Sequence, residues 1–95
     1  MTPAAVDRLC HRLSVTVQEL RSPSRRPDLV RARAIAAHLL ADHHDWDTLR
    51  IAEYLDRSPR QTRRLVADGA YLETRNVDGA GELCHEIRHA IGASR

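Results

Sequence analysis

Four arginines fall within the eight residues "RSPRQTRR": Arg57, Arg60, Arg63 and Arg64, with no acid among them. Guanidinium groups at this density suit two kinds of chemistry, gripping phosphate and pairing bidentately with guanine. Gln61, in the same run, has the geometry to pair with adenine. Arginine in the first turn of a helix is opposed by the helix dipole, where aspartate or glutamate would be the cheaper choice. Residues 21–33 hold a second cluster: Arg21, Arg25, Arg26, Arg31 and Arg33 against Asp28 alone. The remaining residues carry six arginines and twelve acids. A chain whose formal charge is only +2 has thus gathered its positive charge into two segments. That distribution suits an anionic polymer docking on one face. All the basic residues are arginine, as a GC-rich genome alone would also produce.

Two further patterns suggest metals. "HEIRH", residues 85–89, has the His-Glu-x-x-His spacing of zinc proteases and puts His85 and His89 on one helix face. A catalytic zinc ordinarily takes a third protein ligand, and neither that ligand nor a cleft-forming sheet is in view. His43 and His44 lie beside Asp42 and Asp45, but read more simply as a polar helix end. No metal, cofactor or enzymatic activity is expected. Cys10 and Cys84 fall on apolar helix faces and read as buried thiols.

These residues need a scaffold, and the hydropathy pattern supplies only helices. Spacings of three and four recur, and alternation of period two is absent. Ninety-five residues suit one domain, residues 1–95, with a single core built from Ala, Leu, Val and Ile. Thr2 and Pro3 are expected to start a first helix, with Val6, Leu9, Cys10 and Leu13 inward. "TVQE", residues 16–19, is a capping box opening a short second helix with Val17 and Leu20 inward. "RSPSRRP" is a loop. The third helix, about Pro27 to His43, is apolar nearly all round through Leu29, Val30, Ala32, Ile35, Ala36, Leu39 and Leu40, and belongs in the middle. Asp47 caps a fourth helix whose core candidates are Leu49, Ile51, Ala52 and Leu55. After the turn "DRS", Ser58 and Pro59 start a fifth helix reaching about Leu72. "TRNVDGAG" is a loop, and the last helix buries Ala80, Leu83, Cys84, Ile87, Ala90 and Ile91. Trp46 is expected in the core at a helix corner, and Tyr71 either against the last helix or beside a phosphate. The expected fold is an all-α compact bundle of about six helices.

Two helices joined by three residues, the second opening with arginines, form a helix-turn-helix pattern. At ~100° per residue, Thr62, Leu65, Val66 and Gly69 share the inward side of the fifth helix. Arg60, Arg64, Ala67 and Tyr71 line the outward side, flanked by Arg63 and Gln61.

From the first helix to the last, the chain resembles the C-terminal DNA-binding domain of the bacterial replication initiator DnaA, a Trp-repressor-like helix-turn-helix with relatives in some transposases. The resemblance rests on "SVTVQELRS", "SRRPDLVRARAIAAHLL" and "LRIAEYL". It implies a helix-turn-helix in the major groove and a basic loop reaching the minor groove and backbone. Arg25, Arg26 and Arg33 match the basic-loop side, and Arg57 matches the arginine at the family's turn. Where the family reads bases with Asp-His-Thr-Thr, this chain has Ser58, Pro59, Arg60 and Gln61, which cannot make the same contacts. No "GxxxxGK" phosphate loop is present, so no ATPase activity is expected.

The expectation is double-stranded DNA binding, with Arg60, Gln61 and Arg64 facing bases. Arg57, Ser58, Arg63, Arg25, Arg26 and Arg33 would meet backbone or minor groove. The protein would act as a stand-alone regulator or replication accessory, cytoplasmic and nucleoid-associated. The alternative is a protein-interaction module that keeps the fold and binds a replication or transcription factor. RNA is a weaker partner, since stacking aromatics are scarce. No membrane span or signal-peptide core is apparent.

Overall fold

The computed structural model describes residues 2–92. Among them are six helices and no strand: α1 (Ala4–Leu13), α2 (Val17–Arg21), α3 (Pro27–Asp42), α4 (Thr48–Leu55), α5 (Pro59–Thr74) and α6 (Ala80–Gly92). A 3₁₀ turn, Val77–Gly79, leads into α6. The chain is an all-α helical bundle, and no helix among the described residues is long and apolar enough to cross a membrane.

Local sequence sets most of the boundaries. Thr16 and Glu19 close a reciprocal capping box on α2. The Asp47 carboxylate accepts from the Arg50 amide at the start of α4. Ser58 caps α5 with Pro59 behind it. Helix α1 starts one residue later than its Thr-Pro signal predicts. Pro3, in extended geometry, is the cap, and its carbonyl accepts from the Asp7 amide at 2.9 Å. The α1 N-terminus is completed from afar, by the Ala5 amide donating to His44 Nε2 at 3.3 Å. Burial lowers the His44 pKa, with His43 and Arg50 adding to the effect, which favours this neutral, accepting form.

Helix α3 is the central element and packs against all five other helices. Leu29, Ala32, Ile35, Ala36, Leu39 and Leu40 are buried there, but Val30 is 43% exposed and borders a surface groove. Around α3 the core is filled by Val6, Leu9, Leu20, Ile51, Leu55, Cys84 and Ile87. Leu49 is not core: it is 68% exposed. It lies about 160° around α4 from the buried Ile51, so the helix cannot bury both. Leu83 and Ile91 pack on the core only in part. Trp46 is also half-buried, set edge-on to Tyr54 at 5.4 Å with the Arg50 guanidinium 3.9 Å above its ring. Cys10 and Cys84 are buried free thiols, and desolvation pushes Cys84 up to about 11.

The long seam between α3 and α5 is unusually close at Gly69. A Cβ there would lie 2.2 Å from the Ala34 carbonyl oxygen and 2.6 Å from His38 Cβ. Beyond the seam, Arg88 of α6 donates to Glu73 of α5 and, at 2.8 Å, to Asp42 of α3. His38 joins the same carboxylate at 2.5 Å.

Candidate nucleic-acid interface

The α4–α5 turn depends on Asp56, which takes left-handed geometry (φ 55°) and ends α4. Aspartate tolerates this region better than most residues. The Arg57 amide then donates to the Ala52 carbonyl at 2.9 Å, and Ser58 opens α5. On α5 the inward and outward sides divide as the helical spacing requires. Thr62 and Gly69 are buried, Leu65 and Val66 are half-buried, and Arg60, Arg63, Arg64 and Ala67 are exposed. Tyr71 is 59% exposed, with the Arg75 guanidinium 5.7 Å from its ring centroid; it does not pack under α6.

Arg60, Arg63 and Arg64 have no side-chain partner among the described residues, and no acid lies in the first turn of α5 to offset them. Arg60 thus projects from the first turn, where the helix dipole opposes it, and Arg63 and Arg64 project from the turn that follows. Gln61 and Ser58 are differently placed. The Gln61 side-chain carbonyl accepts from the Ser58 amide and hydroxyl, both at 3.1 Å, while the Gln61 amide donates to the Ser58 hydroxyl. These two residues are a capping box, and the Gln61 side-chain NH₂ is the donor left for a ligand. The Ser-x-x-Gln spacing carries that signal in the sequence.

The basic loop, residues 22–26, faces the N-terminal half of α5 across a groove of about 640 Å³. Arg25, Arg33, Arg57, Gln61 and Arg64 line it, together with Asp56 and Asp68. The arginines of residues 21–33 do not act as one patch. Arg25 is exposed and has no side-chain partner among the described residues. Arg26 is exposed but paired with Asp28 at 3.0 Å and Glu19 at 3.4 Å, and the Asp28 hydrogen bond raises its pKa. Arg31 donates to the Val77 and Asp78 carbonyls, each at 2.9 Å, and pins the 3₁₀ turn to α3.

Arg33 corrects the sequence reading most sharply. It is 4% exposed. Its Nε donates to the Leu20 carbonyl at 2.7 Å, and Nη2 to the carbonyls of Glu19, Ser22 and Ser24. Desolvation, and then the nearby Arg57 charge, lower its pKa. Position 33 of α3 points beneath the loop, so this guanidinium satisfies orphan carbonyls at the end of α2 and does not reach a nucleic acid. Arg57 is half-buried and similarly occupied: Nη2 donates to the Ser22 carbonyl at 2.6 Å, and Nη1 to the carbonyls of Arg21, Leu55 and Asp56.

Asp68 escaped the sequence reading. It sits four residues after Arg64, one turn along the same outward side, and lines the groove. On α6, His85 and His89 are exposed with near-parallel rings 6.4 Å apart, and Glu86 is ion-paired with Arg12. No group of three or more potential ligands is placed to hold a metal among the described residues. No family model matches the chain, and no curated protein matches it either.

Proposed function

We propose that this protein binds double-stranded DNA, with the N-terminal half of α5 in the major groove and the 22–26 loop on adjacent backbone or minor groove. The observation that carries the reading is the set of unpaired arginines. Arg60, Arg63 and Arg64 project from the N-terminal half of α5 with no acid in its first turn and no ion pair among the described residues, Asp68 lying one turn beyond Arg64, and Arg25 stands across the groove, also unpaired. A folded protein has no internal use for four such charges, whereas phosphate and guanine edges match them. Arg60 and Arg64 are the base-reading residues, helped by the Gln61 NH₂. Arg63 and Arg25, with Arg26 once released from its exposed acid pairs, meet phosphate. The sequence resemblance to the DnaA C-terminal domain, with a changed reading motif, supports a role as a regulator or replication accessory.

A mixed-sequence duplex titrated by fluorescence anisotropy at several salt concentrations tests this. Neutralising ~4–6 phosphates gives a slope of log K against log[salt] of roughly −4 to −5. Absence of binding at low salt, or a slope near zero, would refute it. The second reading, a protein-interaction module, is favoured by Asp56 and Asp68 in the same groove, since these acids repel a phosphate backbone and suit a partner of mixed charge.

A further inference from the structure

Two guanidiniums tie the carbonyls of the 22–26 loop to elements distant in sequence. Its other hydrogen bonds are local: the Ser22 amide and hydroxyl donate to the Glu19 carbonyl at 3.2 and 2.7 Å, the Ser24 amide to the Ser22 hydroxyl and the Arg26 amide to the Ser24 hydroxyl, both at 3.3 Å. The long-range ties come from Arg33, below the loop, and from Arg57, beside it. Both donate to the Ser22 carbonyl, at 3.2 Å and 2.6 Å. Arg57 differs from Arg33 in its place in the chain. It belongs to the helix-turn-helix turn, one residue before the α5 cap, and it donates to the carbonyls of Leu55, the last residue of α4, and Asp56 as well as to those of Arg21, the last residue of α2, and Ser22, the first of the loop. One side chain therefore ties the reading helix to the basic loop.

We infer that Arg57 is a positioning residue that fixes the 22–26 loop, and with it Arg25, relative to the N-terminus of α5, rather than a phosphate contact. The inference rests on the DNA-binding reading for its consequence but not for its structural content. Arg57 has little to offer a phosphate, because its Nη1 and Nη2 donors are already aimed at four carbonyls. Its planar fork suits that task and the lysine ammonium does not, since lysine is a point charge on a flexible stem. A phosphate contact would tolerate lysine, and a fork joining two backbone segments would not. Arg33 is the poorer subject for a test, because it is buried and its loss would disturb the core.

The experiment uses the full chain with Arg57→Lys, Arg57→Ala, Arg25→Ala and the Arg57→Ala/Arg25→Ala pair. Circular dichroism checks that each keeps its helices. Duplex affinity is read by anisotropy, and exchange of the Ser24, Arg25 and Arg26 amides by hydrogen–deuterium exchange. Expected are faster loop exchange in both Arg57 variants and about 10-fold weaker binding in both. Arg25→Ala should cost about 10-fold alone but under about 2-fold once Arg57 is alanine, because an unplaced loop has no contact left to lose. Near wild-type affinity in Arg57→Lys, with additive losses in the pair, would overturn the inference and make Arg57 a phosphate contact. Unchanged loop exchange would overturn it too. If wild-type protein binds no duplex, the DNA reading fails, and accelerated loop exchange then upholds the positioning role alone.

Discussion

Replacing Gly69 with alanine sets two effects of opposite sign against each other. Alanine is the better helix former by about 1 kcal/mol, so a solvent-facing Gly→Ala change in α5 would stabilise the protein. Gly69 faces α3 instead. The added Cβ would lie 2.2 Å from the Ala34 carbonyl oxygen, 2.9 Å from its carbonyl carbon and 2.6 Å from His38 Cβ. Ordinary van der Waals contact begins near 3.4 Å, so the two helices must part by about 1 Å. The obstacle is helix backbone, which cannot swing away as a side-chain tip can. Overpacking of this kind costs about 1–3 kcal/mol, and backbone against backbone belongs at the upper end. Subtracting the propensity gain leaves a net loss of about 2 kcal/mol. For a domain of this size that lowers Tm by roughly 8–16 °C. Thermal and urea unfolding followed at 222 nm measure it. The seam also sets the distance from α5 to the loop, so DNA binding should weaken well below the new Tm. A Gly69→Ala protein that melts at or above the wild-type temperature would refute the reasoning, and with it the close approach of α3 and α5.

Arg60→Ala and Arg64→Ala should each cost about 1–3 kcal/mol on a selected duplex and flatten discrimination at one base position, measured with single-base variants of the site. Arg26→Ala should instead weaken all variants alike and make the salt slope shallower by about one unit. The Arg88 guanidinium, with His38 assisting, holds the Glu73 carboxyl at about 2 against an ordinary 4.5. A depressed folded-state pKa stabilises above pH 4.5 and is lost as pH falls from there toward about 2, so acid unfolding should withdraw at most about 3 kcal/mol from this group. Glu73→Gln should flatten that acid limb in urea titrations at stepped pH. A chelator should leave the helical circular-dichroism signal unchanged, because His85 and His89 lie outside the core of α6; a collapse on chelation would show that metal supports the fold.

The helix starts were legible because caps are local chemistry. Thr16, Asp47 and Ser58 each act within three residues of themselves, so their spacing contains the whole interaction. The start of α1 was not, because its cap involves His44, some forty residues away. Leu49 reads as core from its apolar side chain alone, but its angle on α4 turns it away from Ile51, Ala52 and Leu55, which already fill the buried side. The central position of α3 could be read because only a surrounded helix can be apolar on every side.

The candidate site is legible in the sequence as a basic region but not as a set of roles, and the arginines show why. Arg25, Arg33 and Arg57 are the same residue type, within or close to equally basic runs. One is free, one is buried under the loop, and one joins loop to turn. What separates them is the direction of each side chain against backbone carbonyls that become neighbours only after α2, α3 and α4 have packed. Charge density finds where an anion could dock, but it counts structural guanidiniums along with available ones. The fold removes Arg31, Arg33 and Arg57 from the available set and turns the Gln61 carbonyl inward to the cap. It leaves Arg25 opposite Arg64, from different segments of the chain, on the two walls of one groove. Each of the two basic runs in this nearly neutral chain thus divides its arginines between structure and surface: Arg31, Arg33 and Arg57 hold backbone carbonyls, while Arg25, Arg60, Arg63 and Arg64 stay exposed.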